Sequence, residues 1–181
     1  MKIRTVISWI IILVAIDQII KIIVNSFFLE SRFDIIPSFF EFRPTFNDKH
    51  SYFNVLLYKK FKINIGLYAH IIFFLFFGVV LLIFYGYLRN HIKNKKLQDI
   101  AFIFLYSGII CALIGNIIWK KGTLDYIYLK PLFVFDLKDL YNNCFAILLI
   151  IFVLKNNAEL NKIKIRDLVL YIKNDVFKRK E

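Results

Sequence analysis

The sequence predicts an all-α membrane protein: four transmembrane helices, a small extracytoplasmic β region and an interfacial C-terminal helix. Three observations predict it. Of 181 residues, 59% are hydrophobic and 21 are Phe, with a mean hydropathy of +0.62. That is more apolar surface than a chain of this length hides from water in its own interior. Four apolar runs are long enough to approach the span of a bilayer, which takes about 20 residues of helix. The basic residues, which give a net charge of +12, gather at the flanks of those runs, where anionic headgroups lie. Removing the runs leaves no soluble basic domain, so the charge does not indicate nucleic acid.

The first run covers residues 5–28. A basic start and an apolar stretch over residues 1–15 resemble a signal peptide, but no small-x-small cleavage site follows and the run continues into Asp17 and Lys21. A retained first helix is expected. The second run covers 65–88, the third 100–119, and the fourth, which is short, 140–154. The ends and links at Lys2 and Arg4, at Arg89 to Lys96, and after Leu154 fall on one side of a four-span chain. They hold more than half of the 25 Lys and Arg residues. That side is expected to be cytoplasmic, with both termini on it. Residues 1–154 are expected to form the membrane domain, with an outer-face loop over 29–64. Residues 155–181 read as a basic amphipathic tail with Ile165, Leu168, Val169, Ile172 and Val176 on one helical face.

Within the outer loop, Phe40, Glu41, Phe42 and Arg43 alternate apolar and polar, a short strand pattern that Pro44 is expected to break. Ser107, Cys111 and Gly115 put small residues at every fourth position of the third run, a stripe that lets a second helix approach. Cys144 also lies in an apolar run, and neither cysteine has metal-ligand or disulfide spacing.

Charged groups inside apolar runs cost several kcal/mol unless paired or hydrated. Asp17 and Lys21, at i and i+4, can meet on one helix face, either as a structural pair or to position a substrate. Asn116, near the end of the third run, needs hydrogen-bond partners and is placed to orient a carboxylate. Asp136 and Asp139 precede the fourth run, where helix capping is the simplest use for them. Asp125 is harder to explain that way, because it stands in the apolar context LDYIYL. The link between the third and fourth runs is short, so Asp125 and Asp139 should come close. Two such carboxylates can share a proton, one serving as base on water while the other polarises a carbonyl. Asp139, near a helix start, is expected to be the base, and Asp125 the protonated partner. Asp136 is expected to point away, toward Lys138 or solvent.

These residues resemble the lipoprotein signal peptidase family, signal peptidase II. The family pattern D-Q-x-x-K is met by Asp17, Gln18 and Lys21. Gly115 and Asn116 match the start of G-N-x-x-D-R, Asp125 the aspartate of V-V-D-F, and Phe135 and Asp139 the ends of F-N-x-A-D. Asn47 matches the first residue of an outer-loop motif, N-x-G-A-A-F, whose Gly-Ala-Ala core is missing here. Trp119 and Lys120 replace an Asp-Arg pair, Asp136 replaces Asn, and Lys138 replaces Ala. Trp119 is expected to anchor in the interface with its N–H hydrogen-bonded. The resemblance implies a divergent aspartic endopeptidase of the bacterial inner membrane. Its catalytic pair would be Asp125 and Asp139, supported by Asp17, Lys21, Asn47, Asn116 and Asp136. It also implies no metal or organic cofactor, and partners comprising diacylglyceryl-modified prolipoproteins and membrane lipids. Two other readings stay open from the residues alone: a non-catalytic relative that binds lipidated peptides, and an unrelated four-helix transporter.

Overall fold

A computed structural model describes residues 1–49, 52–93, 95–119 and 122–173. Four helices are long and apolar enough to cross a membrane: α1 (Ile3–Phe27), α3 (Leu67–His91), α4 (Lys95–Ile118) and α5 (Leu137–Leu160). The remaining elements are β1 (Phe33–Ile36), β2 (Phe40–Asn47), α2 (Tyr52–Phe61), β3 (Thr123–Leu129), β4 (Phe133–Phe135) and α6 (Ile165–Tyr171). The expected architecture of four spans with a small β region is present.

Helix α4 is the hub. It packs against α1, α3 and α5, and just over half of its apolar window is buried, against 6–17% in the other three spans. Its small residues explain the position, since Ser107 and Cys111 are fully buried. At Gly108 an added Cβ would run into the side-chain amide of Asn142, which fills the space that the glycine leaves between α4 and α5. The lipid-facing side chains of α1 and α3, among them Ile11, Ile19, Phe73 and Phe76, are exposed on the isolated chain. That is the pattern for helices whose solvent is lipid, where no apolar stripe need turn inward. At one end of the bundle Asp99 of α4 accepts from Tyr85 Oη at 2.6 Å and pairs with Arg89 Nε at 3.0 Å, which ties α3 to α4.

The other end carries the sheet, whose strand order is β1-β2-β3-β4, antiparallel throughout. Only half of it comes from the expected loop; β3 and β4 lie in the link between α4 and α5. Pro44 does not end β2. The strand runs on to Asn47, and the register shifts between Phe42 and Thr45. An irregularity of this kind is where a strand tolerates a residue without an N–H. On β3 the residues alternate. Leu124 and Tyr126 pack with Val24 of α1, while Thr123 and Asp125 face a cavity. Asn54 of α2 is fully buried, donates to the Lys49 carbonyl at 2.8 Å and accepts from Ile65 N–H at 2.9 Å, closing its loop onto the start of α3.

The fourth span is longer than its apolar run suggests. It starts at Leu137, directly after Asp136, and reaches Leu160, with non-helical backbone at Asn156. Leu168 and Tyr171 of α6 pack onto the Tyr87–Leu88–Phe152 cluster, while Val169 and Leu170 stay exposed. Val176 of the expected amphipathic face lies outside the described residues, as does Lys120.

Candidate active site

Asp136 is the N-cap of α5. Its carboxylate accepts from Asp139 N–H at 3.3 Å, and Asp139 Oδ2 accepts from Asp136 N–H at 3.2 Å. This reciprocal capping box satisfies two amides that would otherwise have no helical partner. The capping expected from spacing is therefore present, and it also holds Asp139 at the cavity wall, with Asp136 buried behind it. Asp125 arrives from β3, opposite Thr45 of β2. Carboxylate oxygens of Asp125, Asp136 and Asp139 all lie within 4.8 Å of one another. That is less than two hydrogen-bond lengths, about 5.5 Å, so one water can touch both Asp125 and Asp139.

Lys138 stands among these carboxylates. Its Nζ is 2.8 Å from Asp125 Oδ1, 2.9 Å from Asp136 Oδ1 and 3.4 Å from Asp139 Oδ2. Three carboxylates this close could ligate a divalent cation; here an ammonium already supplies positive charge among them. A second ammonium lies behind. Lys21 Nζ is 2.7 Å from Asp136 Oδ2 and 2.8 Å from Asp17 Oδ2, and Lys21, Asp17 and Asp136 are all fully buried. Gln18 also donates to Asp17 Oδ2, at 2.8 Å. Asp17, Lys21, Asp136 and Lys138 thus form a run of alternating charge from α1 to the pair. Contrary to expectation, Asp136 does not point away from the pair: it meets Lys138, but Lys138 itself stands among the carboxylates, so an Asp136 oxygen lies within 4.8 Å of Asp125 and Asp139, enclosed by two lysines and away from solvent.

Charge and burial compete at each group. Burial pushes the Asp125 carboxyl above the usual range and outweighs the nearby Lys138 ammonium. Burial also acts on Asp136, but there Lys138 and Lys21 together prevail and hold the carboxyl below the usual range. The Asp139 side chain is 39% exposed against 6% for Asp125, so Asp139 is the one open to incoming water.

The carboxylates edge a cavity of about 310 Å³, lined also by Asn47, Thr123, Phe133, Val134, Asn142 and Asn143, with Phe74 and Ala112 from the spans. Asn47 Nδ2 lies 3.5 Å from Asp125 Oδ2, and its Oδ1 accepts from Lys49 N–H at 3.1 Å. Gly122, at φ +104°, makes this register possible, since a Cβ there would stand 2.2 Å from the Asn47 carbonyl oxygen. Asn116 is buried and donates to the Ala112 carbonyl one turn back, at 2.9 Å. Trp119 departs from expectation. Its ring lies beside Phe46, centroids 6.3 Å apart, but its buried indole N–H finds no hydrogen-bond partner among the described residues. The ring's fit against β2 takes precedence over the hydrogen bond. Thr123, Asn142 and Asn143 are cavity residues that the motifs did not single out. The amides lie one turn beyond Asp139 on α5, and that spacing is the signal for them.

The family model for signal peptidase (SPase) II matches residues 9–155. The chain belongs to the signal peptidase II family. Membership makes it a membrane-embedded protease of the lipoprotein-processing class and supports a lipoprotein signal peptidase role. The fold agrees with that of two solved structures of a bacterial membrane enzyme, determined by the in meso method at 2.3 Å and 1.9 Å resolution. Both superpose with a TM-score of 0.64 at 22% identity. The alignments cover 90% of this chain and 94% of the first structure, and 86% and 96% for the second. No curated protein matches the sequence. Against the signal peptidase II pattern, the altered positions Asp136 and Lys138 sit inside the carboxylate cluster.

Proposed function

We propose that this signal peptidase II family member is an aspartic endopeptidase that removes signal peptides from diacylglyceryl-modified prolipoproteins. The observation that carries the proposal is the placement of Asp125 and Asp139 within one water's reach, on a cavity at the sheet end of the bundle. In this reaction Asp139 takes a proton from the water as it attacks the scissile carbonyl, then returns it to the departing amide nitrogen. Asp125 completes the pair across the site and holds the Lys138 ammonium there. The span residues Phe74 and Ala112 on the cavity wall suit a substrate whose lipid anchor lies in the bilayer beside them. Asp17, Lys21, Asn47, Asn116 and Asp136 support the pair and do not attack. The sheet end faces outward from a bacterial inner membrane and both termini face the cytoplasm, in keeping with the basic flanks. Residues 155–181, the last turns of α5 and the basic segment after it, form the cytoplasmic end of the chain.

The test is cleavage of synthetic prolipopeptides by the purified protein in proteoliposomes, with the cysteine either diacylglyceryl-modified or bare. Cleavage just before the modified cysteine, with the bare peptide cut at least tenfold more slowly, is expected. Equal cleavage of both would remove lipid recognition from the proposal. Cleavage of neither would remove the activity.

A further inference from the structure

Lys138 occupies the position where a two-aspartate site holds its shared proton. We propose that Lys138 is the electrophile of the reaction: its ammonium, held by Asp125 and Asp136, stabilises the oxyanion that forms on the scissile carbonyl. The proposal rests on the peptidase reading above and assigns within it a role that a protonated carboxyl would otherwise have.

Geometry favours the ammonium over Asp125. Asp125 is 4% exposed; its Oδ1 meets Lys138 at 2.8 Å and its Oδ2 faces the Asn47 amide. Both oxygens thus already have a partner on the cavity wall. Lys138 lines the cavity and lies between Asp125 and Asp139, so it is the hydrogen-bond donor next to the base. It is also anchored from behind, because Asp136 is fixed by the α5 cap and by Lys21. Two of its contacts are short. The third, to Asp139 at 3.4 Å, is the one that can be given up.

The steps balance. Asp139 accepts a proton from water while the water oxygen bonds to the carbonyl carbon, and the carbonyl π pair moves to oxygen. Asp139 is then neutral and attracts the ammonium less, so a Lys138 N–H turns to the oxyanion. Asp139 next protonates the leaving nitrogen, the C–N bond breaks and the carbonyl re-forms. Lys138 keeps its proton throughout, and the enzyme returns to its starting charge. The charged groups around Lys138 are Asp125 from β3, the N-cap Asp136, Asp139 from α5 and Lys21 from α1; Tyr126 of β3 and Asp17 of α1 stand next to Asp136 and Lys21. Cys111 of α4 and Tyr141 of α5 lie beyond, near Asp17.

The pH profile of prolipopeptide cleavage separates this role from a merely structural one, because the two predict opposite signs. If a shared proton between the aspartates is the electrophile, removing the ammonium makes that proton harder to lose, and the basic limb of kcat/KM moves up. If Lys138 is the electrophile, Lys138→Met leaves only the weaker carboxyl device, and the basic limb moves down. We expect a fall of at least about one pH unit and a loss of kcat on the order of 100-fold or more, the range for losing one oxyanion donor. Lys138→Arg, which keeps the charge, should hold the basic limb at or above that of the wild type. The paired variant Asp136→Asn/Lys138→Met removes one charge of each sign, so it supplies the same measurement if the single variant does not fold. An unchanged or raised basic limb in the Met variants, or a lowered one in Lys138→Arg, overturns the proposal. Asp139→Asn separates the two failures. If that variant still cleaves, the carboxylate mechanism on which the proposal rests is wrong; if it is inactive while the Met variants move the limb up, only the role of Lys138 is wrong.

Discussion

Lys21 Nζ lies 2.7 Å from Asp136 Oδ2, and both side chains are fully buried. The pair joins the first span to the cap of the last, and through Lys138 it reaches the carboxylates proposed to do the chemistry. Most of the expected behaviour follows from this link.

Replacing Lys21 by Met leaves Asp17 and Asp136 buried with one fewer cation. Stranding a buried charge costs about 3–5 kcal/mol. Lys21→Met should therefore lower the melting temperature and the yield of folded protein, read by thermal unfolding in detergent. Asp136→Asn should also destabilise: the single amide oxygen can still cap α5 and meet Lys138, but the NH2 group would then face the buried Lys21 ammonium. A Lys21→Met protein as stable as the wild type would show that the buried chain of charges does not hold the helices together.

Asp125 should behave in the opposite way. Burial raises its carboxyl against the pull of Lys138. A raised carboxyl stabilises the fold in its protonated form, and that contribution is lost as pH rises through the folded value. At neutral pH Asp125→Asn should match or exceed the wild-type melting temperature, with the advantage fading below about pH 4, where the wild-type group is protonated in both states. A drop of several degrees at neutral pH would contradict this.

The pH dependence of Asp136 has the other sign. Burial works against it, but Lys138 and Lys21 prevail and hold its carboxyl low. It stabilises the fold above the unfolded value of about 3.9, and the contribution disappears as pH falls through the folded value. The stability gap between wild type and Asp136→Asn should narrow as pH is lowered below about 4. A gap that stays constant from pH 7 to pH 3 would rule the two lysine pairs out as its cause.

Gly122→Ala tests the backbone under the site. The residue has φ +104°, and a Cβ would meet the Asn47 carbonyl oxygen at 2.2 Å. The change should cost on the order of 1–3 kcal/mol and should slow cleavage by moving Asn47 off Asp125. A variant with wild-type stability and wild-type rate would show that this turn does not position the site.

The four spans were readable because an apolar run of sufficient length has few other uses. Their ends were less so: α5 begins at Leu137 because Asp136 caps it, and the apolar run itself starts later. The sheet was half legible. Phe40 to Arg43 alternate clearly, but in β3 polar and apolar residues alternate only from Thr123 to Tyr126 before Ile127, Tyr128 and Leu129 run on, so the period-2 signal is too short to read. Asp125, Asp136 and Asp139 stood out as carboxylates at apolar edges. That Lys138 would bridge all three was not readable. Spacing along α5 places Lys138 beside Asp136 and Asp139 but gives no distance to Asp125, which arrives from another element.

The central claim is that hydrolysis needs both carboxylates, Asp139 as the base on water and Asp125 as its partner across the site. The most direct test compares single-turnover cleavage of a diacylglyceryl prolipopeptide by wild type, Asp125→Asn and Asp139→Asn. Folded enzyme is matched by thermal unfolding, and the two product peptides are identified by mass. The account predicts release of the signal peptide by the wild type, ending just before the lipid-modified cysteine. Asp139→Asn should be slower by on the order of 100- to 10,000-fold, the range for losing a general base, and Asp125→Asn should fail comparably while remaining folded. Cleavage by either folded variant at a rate near that of the wild type would contradict it.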